Sequence, residues 1–427
     1  MSIKHSKWWQ SISPLVVCSL ASFFYIYEFT VRVAPSAMSD DLMSSFGIQA
    51  SGFSILAAMF FYGYTPLQIP AGLLYDRVGP RFLLSLSTLL CALATAAFAL
   101  TTHIEFAYFC RLIMGVTAAF AFIGALIIAS RWFPPRHFAL FAGIVQFMGC
   151  IGAIVGLAPI AALTGHLGWR PATMMIAAVG VVFSILMWLI IRDYPAGYQL
   201  NLEKKHERPH NRLKAVCQNS QTWWVALYSL TCWAPIDIFA TVWGTPYLMN
   251  LYHTNATKAA AGISLIWLGI AIGSPVAGWW SSHINRRRTP MIVCSCIGLV
   301  ASIAVLYCGA LPKPIMAVFL FLFGVSASSQ VIGFGLVLDN NRDAVMGTAV
   351  GFNNMAVITG GALLQPLVGF ILDIIWNHEY INGIPFYSIQ EFQKAMSMVP
   401  VICILGIICS VWFIKETHCK RKHPTPS

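Results

Sequence analysis

The chain has 427 residues, of which 58% are hydrophobic and only 10% charged, whereas an ordinary soluble domain is about 25% charged. That balance excludes a soluble globular domain and places the chain in a membrane. The formal net charge of +11 is scattered over many short loops and forms no single basic stripe, which excludes nucleic acid as the partner it serves.

A hydrocarbon core about 30 Å thick needs roughly 20 apolar residues per helix. Windows of that length predict about twelve transmembrane helices, near residues 13 to 34, 50 to 75, 81 to 101, 105 to 130, 138 to 163, 169 to 191, 222 to 250, 259 to 281, 289 to 310, 314 to 338, 346 to 375 and 394 to 414. The fold class expected is all-α polytopic, with the helices in two six-helix bundles. Barrel strands are not expected, because they would alternate apolar and polar residues in short segments.

The first window runs into YEFTVRVAPSAM, Tyr27 to Met38, which sets Glu28 and Arg32 one helical turn apart inside the span. It is too long for a signal-peptide core and ends in charged residues without a small-residue cleavage site, so it should stay as a helix. An ionised residue at mid-membrane costs about 2.5–3.5 kcal/mol, so both groups should face partners or water within the bundle. The i,i+4 spacing stacks them on one face.

The second span closes in GLLYDRVGPR, with Gly72, Asp76, Arg77, Gly79 and Arg81. Arg111 lies inside the fourth span, at a depth similar to that of Glu28. Residues 193–221 form the longest polar interruption, giving one bundle at 1–192, a cytoplasmic loop at 193–221, and a second bundle with a short basic tail at 222–427. Within the loop, His206, Glu207 and His210 match the H-E-x-x-H zinc pattern by string. Pro209 interrupts it and no apolar helix face carries it, so a solvated loop is the sensible reading and no metal is expected.

The seventh span carries Asp237, with Trp233, Trp243 and Tyr247 nearby. The aromatics read either as ligand-stacking groups or as interfacial anchors. GWWSSHINRRR at 278 to 288 echoes GLLYDRVGPR 206 residues earlier, and a duplicated six-helix unit explains the echo. The tenth span holds Ser326, Ser328, Ser329 and Gln330, and the eleventh Asn353, Asn354 and Gln365, which read as interhelical glue or substrate contacts. Asp373, near the end of the eleventh, reads as solvated or helix-pairing. The twelve cysteines lie mostly within spans without metal-ligand spacing and should be reduced, space-filling thiols.

Lys and Arg placement sets orientation. With twelve spans, twenty of these residues fall on the side of the termini and four on the other, so both termini should be cytoplasmic. Some of them could touch anionic lipid heads.

The segment Gly72, Asp76, Arg77, Gly79, Arg81 resembles the G-x-x-x-D-R-x-G-R-R loop of the major facilitator superfamily. Arg111 with Gly115, in CRLIMG, resembles that superfamily's fourth-helix arginine motif, and GCIGAIVGLAP at 149 to 159 its Gly-rich fifth helix. The resemblance covers almost the whole chain and implies alternating access by two rocking bundles, with the loop residues gating. The second copy has Ser282 and His283 where the first has Asp76 and Arg77, so that half is expected to latch less strongly. SRWFPPRHFALFAG, GWRPA and IRDYP resemble the anion:cation symporters, and YEFTVRVAPSAM the phagosomal nutrient transporters of intracellular bacteria, which import amino acids or nucleosides and have relatives linked to siderophore traffic.

In this superfamily the first, fourth, seventh and tenth helices line one cavity, so Glu28, Arg32 and Arg111 are expected there. Two arginines against one carboxylate leave one positive charge over, which a substrate carboxylate would neutralise bidentately. Glu28 would then exchange its proton as the substrate comes and goes. The competing reading of all three is a structural ion network. Without a G-x-x-x-x-G-K-[ST] stretch, nucleotide-driven pumping by this chain alone is not expected, nor any cofactor. The expected activity is proton-coupled uptake of a small, carboxylate-bearing nutrient by a monomer in the inner membrane. Export of a siderophore, drug or metabolite, nucleoside uptake, and a non-transporting sensor remain the alternatives.

Overall fold

In a computed structural model, residues 14–132, 138–194, 209–342, 345–381 and 384–420 are described. Eleven helices among them are long and apolar enough to cross a membrane: Val16–Ala37 (α1), Pro80–Leu100 (α3), Ile104–Ala129 (α4), Gly143–Leu167 (α5), Trp169–Ile190 (α6), Ser220–Tyr252 (α7), Ala256–His283 (α8), Arg288–Tyr307 (α9), Lys313–Asn340 (α10), Met346–Ile375 (α11) and Ile389–Phe413 (α12). The remaining span is Ala50–Gly72 (α2), which meets the same test together with the short helix Ser39–Phe46, set against it at a 110° bend.

The two halves repeat each other helix for helix. In the first half α1 packs on α5, α2 on α4 and α3 on α6; in the second α7 packs on α11, α8 on α10 and α9 on α12. Glycines allow the second of these pairings. A Cβ on Gly115 of α4 would strike the Phe60 carbonyl of α2, and one on Gly324 of α10 would strike the Ile266 carbonyl of α8. Close backbone approach through small residues is how helices associate where lipid removes the hydrophobic drive. The halves meet along two seams, α2 against α11 and α5 against α8.

The ends of the spans follow local rules that apolar windows do not register. Ser388 and Glu391 form a capping box, and this starts helix at Ile389, before the predicted 394. Between α11 and α12 a two-residue antiparallel pairing, Tyr380–Ile381 with Ile384–Pro385, lies outside the spans. The predicted central loop contains a helix, Pro209–Gln218, whose Val216 is buried against the second half. His206 and Glu207 lie outside the described residues.

On the face that carries the termini, each half braces its first return loop with a carboxylate following its sixth helix. Asp193, past α6, accepts from the Arg81 amide at 2.8 Å, while Arg81 Nε donates to the Trp188 carbonyl at 2.9 Å. A Cβ on Gly79 (φ +91°) would run into the Asp193 carboxylate. Glu416, past α12, accepts from the amides of Arg287 and Arg288 at 2.8 and 2.9 Å. Burial pushes the Glu416 carboxyl up, but the amides of Arg287, Arg288, His418 and Thr417 outweigh it and hold the group below the usual glutamate value. Arg287 Nε also donates to Asp339 Oδ2 at 3.0 Å, so the copy with Ser282 and His283 has an ion pair of its own. Gly72 lies within α2, and the side chains of Asp76 and Arg77 lie outside the described residues.

Candidate functional site

Glu28 and Arg32 sit on α1 with the i,i+4 spacing the sequence prescribes, and their side chains pair directly, Arg32 Nη2 donating to Glu28 Oε1. Four rings enclose the guanidinium. Its carbon lies 4.3 Å from the centroid of Phe29, 5.0 Å from Tyr64, 5.5 Å from Phe60 and 5.6 Å from Phe61, distances at which ring faces attract a cation. The pair is nevertheless incomplete, because Glu28 Oε2 and Arg32 Nε have no hydrogen-bond partner.

Asp237 approaches from the other half. It lies on α7 one turn beyond Trp233, is fully buried, and neither carboxylate oxygen has a hydrogen-bond partner. The Trp233 indole and the Gly361 amide are its near donors, and Arg32 its near cation, but none reaches hydrogen-bonding geometry. Gly361 of α11 makes the approach feasible: a Cβ there would meet Asp237 Oδ2 at 2.9 Å and Phe61 at 3.0 Å. The aromatic wall of Arg32 and the Asp237 carboxylate therefore meet at one point on the seam. Directly after Asp237, α7 widens into a π-helical turn at Phe239–Trp243, an irregularity frequent at functional sites.

Arg111 is buried as deeply but committed elsewhere. Its Nη1 donates to the Val31 carbonyl at 2.9 Å, its Nε to the Leu56 carbonyl at 3.3 Å and its Nη2 to the Arg32 carbonyl at 3.5 Å. The space beside it, lined by Val31, Thr95, Phe98 and Met114 among others, is about 20 Å³, room for a single water. The structure thus brings Glu28, Arg32 and Asp237 together at the seam and sets Arg111 against the α1 and α2 backbones.

The remaining polar candidates lie around the α7–α11 contact. Asn353 Oδ1 accepts from Ser229 at 3.0 Å, leaving Asn353 Nδ2 without a partner. Asn354 Nδ2 donates to Gln68 Oε1 at 2.6 Å across the α2–α11 seam. Gln365 Nε2 donates to the Asp237 carbonyl at 2.7 Å, and Gln330 is buried in α10.

On the face away from the termini the halves are pinned together. Asp373 of α11 caps the start of α2, accepting from Ala50 N at 3.2 Å and Ser51 N at 2.9 Å. Tyr387 joins in, its hydroxyl donating to Asp373 at 2.8 Å and accepting from Ala50 N at 2.9 Å. A carboxylate at a helix N-terminus satisfies otherwise orphaned amides and the helix dipole. Ser36 of α1 adds bonds of 3.0 Å to the Val242 carbonyl and to Thr245. A cavity of about 460 Å³ opens on the same face, lined by residues that include Asp40, Trp243, Asn250, His253 and Tyr387. With the pins on one side and Gln68–Asn354 on the other, the central cluster is occluded.

Sequence reasoning passed over Phe60, Phe61 and Tyr64 as ordinary apolar filling of α2, and over Trp267 of α8. Asp193 entered it only within IRDYP and Glu416 not at all, although each closely follows the sixth span of its half.

The Major Facilitator Superfamily profile matches residues 18–366. A Bacillus subtilis (strain 168) protein named "Uncharacterized transporter YybO" is 23% identical, covering 94% of each chain. A "Probable hexose phosphate transport protein" of Chlamydia muridarum (strain MoPn / Nigg) is 21% identical over 84% of this chain and 85% of its own. Among solved structures, a bacterial homolog of the human lysosomal transporter Spinster, inward-facing and unoccupied, superposes with a TM-score of 0.77 at 16% identity, covering 95% of this chain and 97% of that one.

Proposed function

The chain belongs to the major facilitator superfamily, and from that premise we propose that it carries a small organic anion across the inner membrane, inward, by alternating access coupled to protons. One observation carries the reading: at the seam between the halves a single guanidinium faces two carboxylates, and three carboxylate oxygens and one guanidinium N–H are unpaired.

Charge accounting supplies the coupling. With every group ionised, Arg32, Glu28 and Asp237 sum to −1, which repels an anion. With both carboxylates protonated the cluster is +1, and an anion that displaces Glu28 from Arg32 restores neutrality. Isolated charge is so costly in a low-dielectric interior that bound anion and protons must come and go together. Arg32 receives the anion, Glu28 and Asp237 hold the protons, and Asn353 offers a neutral donor. The Asp373 and Ser36 contacts close the far face, Gln68–Asn354 closes the other, and rocking of the bundles breaks one set at a time. The loop at Gly72, Asp76, Arg77, Gly79 and Arg81 gates at the cytoplasmic surface, where the positive charges hold both termini. The Chlamydia relative named for hexose phosphate, itself an anion, supports the substrate class.

The test is uptake into proteoliposomes enclosing a pH dye. Added organic anion should carry protons inward with it, and Glu28→Gln should abolish both movements. Full proton-driven uptake by Glu28→Gln sinks the coupling scheme. A second reading draws on the same cluster, since two carboxylates and a ring-lined wall also suit a hydrophobic cation exchanged for protons; proton release on adding such a cation would favour it.

A further inference from the structure

Arg32 is the only cation that the described structure brings to the seam cluster; Arg111 is held by three main-chain carbonyls beside a space too small for a solute. The fully protonated cluster can therefore neutralise one negative charge, and a dianionic phosphate would leave a net charge buried. The walls carry the same message. Phe29, Phe60, Phe61 and Tyr64 surround the guanidinium, Trp267 stands edge-on to Phe29 at 5.5 Å, and Trp233 edge-on to Trp267 at 6.3 Å. A sugar's hydroxyls would each need a polar partner on such a surface.

Trp233 and Trp267 are also chemically unfinished. Both are buried to 2% exposure or less; the Trp267 N–H has no acceptor, and the Trp233 N–H lies near the Asp237 carboxylate without reaching hydrogen-bonding geometry. Buried donors are almost always paired, so two unbonded indoles on one wall leave a place for an acceptor that arrives from outside, one that competes with Asp237 for the Trp233 N–H. Indole is a donor only, which suits an anion and nothing cationic.

We propose that Trp233 and Trp267 are specificity-determining residues, donating their indole N–H groups to the bound anion, and that the site takes a singly charged carboxylate on a flat, apolar body in preference to a phosphate ester. This rests on the anion reading of the preceding section. Arg32 supplies the charge, the two indoles supply neutral donors from the opposite half, and the rings of α1 and α2 cover the apolar body. Closure of the halves onto such a solute completes hydrogen bonds that neither half completes alone.

The experiment is binding to the purified full-length protein in detergent at mildly acidic pH, by calorimetry and thermal shift, with benzoate and glucose 6-phosphate as probes. Benzoate should bind at least tenfold more tightly. Trp267→Phe and Trp233→Phe, which keep a ring but delete the N–H, should each weaken benzoate roughly tenfold. Neither should lower the melting temperature of the unliganded protein by more than Trp243→Phe does. That third substitution also removes an unpaired buried indole N–H, but from the far-face cavity, and it should leave benzoate affinity unchanged.

Unaltered affinity in both variants, or an equal loss in Trp243→Phe, overturns the donor role. Glucose 6-phosphate binding that is tighter than benzoate and lost in Arg32→Gln overturns the substrate class while leaving the anion reading intact. If neither probe binds, or binding ignores Arg32→Gln, the anion reading falls and this proposal with it.

Discussion

Arg32 and Arg111 are buried to the same 2%, and both lie against Phe60, at 5.5 and 5.1 Å from its centroid. Their surroundings are opposite in kind. Arg111 clamps α1 and α2 by hydrogen bonds to carbonyls that cannot leave. Arg32 holds a side-chain carboxylate that can rotate away or take a proton, and both members of that pair retain an unpaired atom. In the proposed cycle a buried charge satisfied by the backbone serves as scaffold, because nothing in that cycle can replace its partners. A buried charge satisfied in part, by groups that titrate, is available for exchange. The cost of membrane burial selects for a reason in both cases, but only the partners say which reason applies.

Several substitutions would break or sharpen that contrast. The largest effect belongs to Asp237→Asn, which removes one of the two protonatable groups while keeping shape. Proton-coupled uptake should fall to the level of protein-free vesicles while the melting temperature holds or rises, since a buried carboxylate without partners is relieved. Retained coupling would assign Asp237 to packing.

The two arginines should then part company under the same change. Arg111→Lys keeps the charge but cannot span three carbonyls, and should cost about 2–3 kcal/mol of stability, read as a lower melting temperature with KM unchanged in the protein that folds. Arg32→Lys should do the reverse, raising KM at nearly constant melting temperature. Identical behaviour of the two variants would remove the distinction between scaffold and site.

Asp373→Asn probes a contact between the halves that is satisfied yet must open. Asparagine keeps only one of the two oxygens that separately accept from the Ala50 and Ser51 amides, so the far face should open more often. Cysteines placed around the far-face cavity should be labelled several-fold faster, consistent with loss of roughly 1 kcal/mol at the closed gate. Unchanged labelling would mean that the cap stabilises α2 and does not gate.

Much of the fold was legible because its causes are local in sequence. Apolar length gives the spans, and the 206-residue echo of GLLYDRVGPR gives the duplication. Glycines at the same offset, Gly63 and Gly269, sit where α2 and α8 each receive a neighbouring backbone. The ion pair of Glu28 and Arg32 was legible for the same reason, being set by one turn of helix. The meeting of Asp237 with the Arg32 wall was not, since depth along a helix can be counted but rotation about its axis depends on packing partners. Hence Arg111 reads from depth as a companion of Glu28, although it faces the backbones of two neighbouring helices. Trp267 was hidden by its surroundings, because a tryptophan in an apolar run gives no sign whether its N–H finds an acceptor. The Asp373 cap joins residues 322 and 323 positions apart, beyond the reach of any local pattern.

The smallest expected effect comes from the face opposite Asp373, where a carboxylate again caps a helix start but within one half. The Glu416 pKa in the folded protein lies below its ordinary value of about 4.5. A depressed folded value means that the contribution to stability is fully present above the unfolded pKa and is lost as pH falls through the folded one. Glu416→Gln should therefore lower the melting temperature slightly at neutral pH, and the difference from the parent protein should vanish as pH falls through the depressed folded-state pKa. Because the carboxylate is largely solvent-screened, the shift should amount to a few degrees at most. KM and coupling should not change, because the cap holds the α8–α9 turn to the end of α12 and touches neither seam. A change in coupling would instead make the brace part of the moving machinery. The pseudo-equivalent Asp193→Asn should then show the same change, since Asp193 caps the α2–α3 turn of the other half in the same way.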